Sequence, residues 1–103
     1  MRHLRLTICT RKGCCLCEGL ERRLRAISLD EINQSIELCV LDIDGVNTPE
    51  HLRLRYDLEV PVLLISLNES KESIELPRVS PRIKGEALAL WLQKEINKII
   101  EIV

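Results

Sequence analysis

Apolar and polar positions along the chain follow two different periods, and the places where one gives way to the other mark the elements. Leu4-Arg5-Leu6-Thr7-Ile8-Cys9 alternates, as a strand with one face on a core does, and the polar stretch Thr10-Arg11-Lys12-Gly13 ends it. From Cys14 or Cys15 onward the period becomes helical. Leu16, Leu20, Leu24 and Ile27 form an apolar stripe, with Glu18, Glu21, Arg22 and Arg25 around the rest of the cylinder. Ser35-Ile36-Glu37-Leu38-Cys39-Val40-Leu41 is a second strand, stopped at Asp42-Ile43-Asp44-Gly45. Thr48-Pro49-Glu50 then supplies an N-cap residue, a proline for the first helical position and an early acid, opening a short helix to about Tyr56.

The third strand, Pro61-Val62-Leu63-Leu64-Ile65-Ser66-Leu67, is headed by proline, where the missing N–H breaks no interior ladder. Asn68 to Glu72 reads as a polar turn, and Ser73-Ile74-Glu75-Leu76-Pro77 as a short edge strand ended by its proline. After the loop Arg78 to Lys84, Gly85 precedes a last helix with Leu88, Trp91, Leu92, Ile96 and Ile99 on one face. The order is β-α-β-α-β-β-α. Its first three elements form a βαβ unit, expected parallel and right-handed, and the last two strands form an antiparallel hairpin. The predicted architecture is α/β, a mixed four-stranded sheet flanked by three helices, in one domain spanning residues 1–103.

Composition narrows the function classes. With 46% apolar residues but one Trp, one Tyr and no Phe, the core must rest on Leu, Ile and Val. A net charge of −1 gives no bias toward nucleic acid, and Arg22-Arg23-Leu24-Arg25 reads as a solvated helix face. No apolar run approaches the roughly 20 residues of a membrane span, and the N-terminus lacks the apolar stretch of a signal peptide. The expectation is a cytoplasmic monomer with no nucleic-acid or membrane partner. Five cysteines in a reducing compartment, odd in number, argue against a disulfide framework and for catalysis or metal binding by the clustered ones.

That cluster is Cys14-Cys15-Leu16-Cys17, set where the first strand gives way to the first helix. Positions three apart share a helix face, so the Cys14 and Cys17 sulfurs can meet. Cys14 falls at the positive end of the helix dipole, with Arg11 and Lys12 adjacent in sequence. Such surroundings lower a thiol from about 8.5 toward about 3.5–7.5, and the thiolate is the species that attacks a disulfide. Cys14 is the candidate nucleophile and Cys17 the candidate resolving thiol. The same spacing also serves zinc and iron–sulfur clusters, so the motif alone leaves both chemistries open. Val60-Pro61, directly before an apolar strand, is the distant partner expected in a dithiol site: a cis proline facing the pair and shaping a substrate groove.

Thr10-Arg11-Lys12-Gly13-Cys14-Cys15-Leu16-Cys17-Glu18, with Tyr56-Asp57-Leu58-Glu59-Val60-Pro61-Val62-Leu63 downstream, resembles the small glutaredoxin-like branch of the thioredoxin superfamily over nearly the whole chain. The resemblance implies a thioredoxin-like fold, with Cys14 as nucleophile and Cys17 as resolving thiol. It also implies that Val60, before Pro61, contacts the substrate backbone, and that Arg11 helps hold the glycyl carboxylate of glutathione. The implied substrate is a disulfide-containing protein or a glutathione mixed disulfide, with glutathione as candidate reductant and no resident cofactor or metal. Cys15-Leu16 replaces the Pro-Tyr common inside the family motif, and Arg82-Ile83-Lys84-Gly85-Glu86 replaces its Gly-Gly and acidic pair.

Other residues carry blander readings beside functional ones. Cys15 is a tolerated small residue, an accessory resolving thiol or a third ligand to a metal. Cys9 and Cys39 are expected as buried small hydrophobes under helices. Asp42 and Asp44 end a strand and stay solvated rather than forming a metal pair; Trp91 belongs to the core. Arg78, Arg82 and Lys84 are ordinary surface charge or a cationic rim for an anionic substrate. Three functions therefore stand: a thiol–disulfide oxidoreductase, a thioredoxin-fold interaction domain with idle thiols, and a Cys-ligated metal or iron–sulfur module.

Overall fold

The computed structural model describes residues 3–27, 36–67 and 73–102. Its elements are β1 (Leu4–Thr10), α1 (Cys15–Ala26), β2 (Ile36–Asp42), α2 (Glu50–Tyr56), β3 (Val62–Leu67), β4 (Ile74–Glu75) and α3 (Gly85–Ile102). The order expected from the apolar periods is the order found, in one four-stranded sheet arranged β2-β1-β3-β4. β1 runs parallel to β2, Leu4 opposite Ile36 through Thr10 opposite Asp42. It runs antiparallel to β3, and β3 pairs antiparallel with β4 at the edge. Ser35, expected in the second strand, and the expected turn at Asn68 to Glu72 lie outside the described residues.

Strand alternation divides the core between the two faces of the sheet. Leu4, Leu6 and Ile8 of β1 and Leu63 and Ile65 of β3 point toward α1 and α3, meeting Leu20, Leu24, Leu88, Leu92, Ile96 and Ile99. Cys9, Val62 and Leu64 point the other way, to Tyr56 of α2 and to Ile43. Buried on both faces, β3 reads as a nearly continuous apolar run instead of an alternation. The roughly two turns of α2 cover only one end of its face, the end holding Cys9 and Val62. At that end the first helix also begins.

Several local expectations are corrected. The inward stripe of α1 is Cys17, Leu20 and Leu24, continued by the half-buried Ile27; Leu16 lies at its edge, 39% exposed. Cys39 is half-buried, because β2 is an edge strand and α2 does not reach over it. Trp91 is half-buried at the margin of the larger cluster. Thr48 does not cap α2: its hydroxyl donates to the Asp42 carbonyl at 2.5 Å, and Pro49 takes the cap position without a side-chain bond. The hydroxyl is spent on closing the turn after β2, where Gly45 N–H also donates to Asp42 O. Among the described residues no helix is long and apolar enough to cross a membrane.

Candidate dithiol site

The site starts from a tight turn. Cys14 N–H donates to the Arg11 carbonyl at 3.1 Å, and Gly13, third in that turn, has φ +81°, a conformation costly to any residue with a Cβ. The turn delivers Cys14 to the N-cap of α1 in extended conformation, with φ −86° and ψ 101°. Its sulfur accepts from Cys17 N–H at 3.2 Å and its carbonyl from Glu18 N–H at 3.1 Å. Cys14 therefore does with sulfur what Ser or Asp does with oxygen at a helix start, and the orphan N–H groups of the first turn face it.

Cys14 and Cys17 are joined as a disulfide, with Cα atoms 5.2 Å apart. Cys14 is half-exposed, whereas Cys17 is buried on the inward stripe. Cys15 is an exposed free thiol. Beside Cys17 lies a cleft of about 250 Å³, also lined by Thr10, Arg11, Lys12, Glu18, Glu21 and Asp42. Cys9 is fully buried; burial, with the nearby Glu75 carboxylate second, pushes its thiol up to about 11. Among the described residues, no group of three or more His, Cys, Asp or Glu side chains could hold a metal ion.

Val60 and Pro61 reach the same end of the sheet through the strand register. Cys9 pairs with Val62, so the loop entering β3 and the turn leaving β1 are neighbours. The Val60–Pro61 peptide is cis, and Val60 packs half-buried against Cys9, Ile43, Tyr56, Val62 and Leu64.

Arg11 is occupied. Its Nε and Nη2 donate to the Asp44 carboxylate at 2.7 and 3.2 Å, and its Nη1 and Nη2 donate to the carbonyl and carboxylate of Asp57 at 2.6 and 2.5 Å. The hydrogen bonds to Asp44 and then Asp57 hold the guanidinium above its ordinary pKa, and the Asp44 carboxyl is held below its own by Arg11. Asp44, expected to be merely solvated, is thus a partner in the site's frame, while Asp42 accepts from Asp44 N–H at 2.9 Å.

Arg78 repeats the arrangement on the other flank. It donates to the Glu59 carbonyl at 2.9 Å and carboxylate at 3.1 Å, and lies 3.5 Å from Glu75. Glu75 also accepts from the buried Tyr56 hydroxyl at 2.7 Å and is held below the usual carboxyl range, chiefly by that bond. Arg23 of α1 donates to the Pro81 carbonyl, tying the loop before α3 to the helix that carries the cysteines. Arg82 and Lys84 are exposed. The pairings of Arg11 have no signature in the sequence, since its partners lie 33 and 46 residues away.

A family model described as glutaredoxin-like domain (DUF836) matches residues 5–93. No curated protein matches the chain significantly. Similar solved structures include a malaria-parasite thioredoxin-2, at 17% identity and TM-score 0.59 over 90% of this chain and 84% of that one. The germline thioredoxin Deadhead of Drosophila melanogaster aligns at 16% identity and TM-score 0.58, over 89% and 80% of the two chains. Fasciola hepatica thioredoxin aligns at 17% and 0.56, over 90% and 81%. At such identities the likeness is one of fold, and the fold is that of thioredoxin.

Proposed function

This chain belongs to the glutaredoxin-like domain family, and on that premise we propose that it is a thiol–disulfide oxidoreductase working through Cys14 and Cys17 beside the Val60–Pro61 loop. One observation carries the reading: the two sulfurs are bonded at a helix N-terminus, one half-exposed and the other buried. In the reduced form the Cys14 thiolate attacks one sulfur of a substrate disulfide, forming a mixed disulfide and expelling the first product thiolate. Cys17 then loses its proton and attacks Cys14 Sγ, closing the internal disulfide and expelling the second. Two electrons pass from the dithiol to the substrate, and the two product thiolates take up two protons. An external thiol reductant, for which glutathione is a candidate, returns the pair to the dithiol in a compartment that keeps thiols reduced.

The residue types suit these roles. A half-exposed Cys14 at the N-cap has the helix dipole to stabilise its thiolate and room for a substrate. Cys17, screened from solvent, is placed to meet only Cys14 Sγ, once that sulfur is bonded to the substrate. The backbone of Val60 is the candidate edge for an extended substrate segment, with Pro61 shaping the groove. One chain supplies both thiols, so a monomer suffices.

The test is a pair of serine variants assayed on a neutral cystine peptide with dithiothreitol as reductant. Cys14→Ser is expected to abolish turnover. Cys17→Ser, reduced, freed of dithiothreitol and then mixed with the peptide, is expected to accumulate a protein–peptide mixed disulfide, visible as added mass. Full turnover by Cys14→Ser, or no reversible dithiol–disulfide couple in the unmodified protein, sinks the reading.

A further inference from the structure

The sheet treats its two edges differently. At one edge β4 is two residues long and is followed two residues later by Pro77, which has no N–H to offer a neighbouring strand. At the other, β2 runs for seven residues with no proline, no lysine and no bulge. Its acids, Glu37 and Asp42, stand near its two ends, and Leu38, Cys39, Val40 and Leu41 lie between them. Val40 is 43% exposed although it is apolar, and Cys39 is a half-buried free thiol.

The backbone directions of β2 follow from one hydrogen bond. Ile43 N–H donates to the Thr10 carbonyl at 2.9 Å, and β2 runs parallel to β1, so Glu37, Cys39, Leu41 and Ile43 turn their backbone groups toward β1. Ile36, Leu38, Val40 and Asp42 therefore turn theirs outward. The Asp42 carbonyl is taken by Gly45 N–H and the Thr48 hydroxyl. The N–H and carbonyl groups of Leu38 and Val40 have no hydrogen-bond partner among the described residues. Such an edge is a template for another strand.

We propose that β2 is a dimerisation edge, pairing antiparallel with β2 of a second copy of this chain about a two-fold axis at Cys39. That axis is the one placement that leaves none of the seven residues unpaired. Ile36 opposes the partner's Asp42, Glu37 the partner's Leu41, Leu38 the partner's Val40, and Cys39 the partner's Cys39. Outward-facing residues then oppose outward-facing ones, so Leu38 and Val40 each exchange N–H···O bonds with their counterparts, four bonds in all. No acid stands opposite an acid, and exposed Val40 gains an apolar cross-strand neighbour. A second copy fits better than an unrelated strand because the segment is its own complement in length, apolar pairing and charge. The two sheets join as one of eight strands, and each protomer keeps its own complete dithiol pair.

Cys39 supplies a probe of the register. In a non-hydrogen-bonded antiparallel pair the Cα atoms lie about 4.5 Å apart, inside the ~4.4–6.8 Å range of a disulfide. Diamide takes one hydrogen from each thiol and becomes the hydrazine, leaving the two Cys39 sulfurs bonded.

Sedimentation equilibrium of the reduced full chain, from micromolar to millimolar, should show a reversible dimer. Val40→Pro removes two of the four bonds between copies and none to β1, so Kd should rise about thirtyfold. Val40→Lys keeps every backbone bond but replaces the apolar pair by a buried charge, and should raise Kd about tenfold. A circular dichroism spectrum unlike the parent's sets the proline variant aside, and the lysine variant then decides. In Cys14→Ser/Cys15→Ser/Cys17→Ser, diamide should link the copies, and adding Cys39→Ser should abolish the link. A chain that stays monomeric throughout overturns the proposal, as does a dimer that either folded variant leaves intact. A dimer that diamide cannot join through Cys39 overturns the register and the axis with it.

Discussion

Replacing Gly13 by alanine isolates the backbone requirement of the turn that presents Cys14. At φ +81° a Cβ at this position meets nothing within 4 Å, so no clash enters the balance. The left-handed conformation costs an L-residue about 1–2 kcal/mol. Alanine also restricts the unfolded chain, which offsets about 0.4–1 kcal/mol of that. The net expectation is a loss of about 1 kcal/mol. With an unfolding entropy of about 2.1 cal/mol/K per residue, a chain of 103 residues should lose about 5 °C in Tm. Thermal unfolding followed by circular dichroism reads this directly. Gly13→Asn should recover part of the loss, because asparagine tolerates the left-handed region better than alanine. Since the turn is bonded from Cys14 N–H to Arg11 O, turnover should fall in the same order, alanine below asparagine below glycine. An alanine variant as stable as the parent, or one less damaging than asparagine, would refute the claim that backbone conformation is what glycine supplies here.

Two further outcomes follow from the buried groups. In the reduced protein, iodoacetamide at about pH 8 should alkylate exposed Cys15 and spare Cys9 until the chain is unfolded, because burial pushes the Cys9 thiol up to about 11; equal labelling of the two in a mass-spectrometric time course would contradict this. Tyr56→Phe removes the hydroxyl that donates to Glu75, at a cost of about 1–2 kcal/mol near neutral pH. The sign with pH is set by Glu75: its carboxyl is held below its ordinary value, first by Tyr56, so the stabilisation is present above the ordinary carboxyl range and is lost as pH falls through the lowered folded value. Denaturant midpoints of parent and variant should therefore converge in acid, and a gap constant from about pH 7 to about pH 3 would contradict the assignment.

Much of the frame was legible because its signals are local. The alternation of Leu4 to Cys9, the helical period of Leu20 and Leu24, and the proline before Val62 each report the environment of a few consecutive residues. The dithiol was legible for the same reason, since a spacing of three at a helix start is a local geometry. What misled was also local. Thr48 has the chemistry of a cap and spends it on Asp42, and Leu16 has the chemistry of a core residue but stands at the stripe's edge. Cys39 has the chemistry of a buried small hydrophobe but stands half-buried on an edge strand.

By itself, then, the sequence determined the element order, the apolar faces and the pair Cys14 and Cys17, because periodicity and short spacing depend on the chain's own geometry. Only the tertiary structure decided how Arg11 and Arg78 are used. An isolated arginine beside a cysteine motif reads as free positive charge. Folding brings Asp44 and Asp57 to one arginine and Glu59 and Glu75 to the other, across gaps of 33 and 46 residues in the case of Arg11. A side chain's charge is written in the sequence, but whether that charge is free or answered depends on which distant segments the sheet brings together.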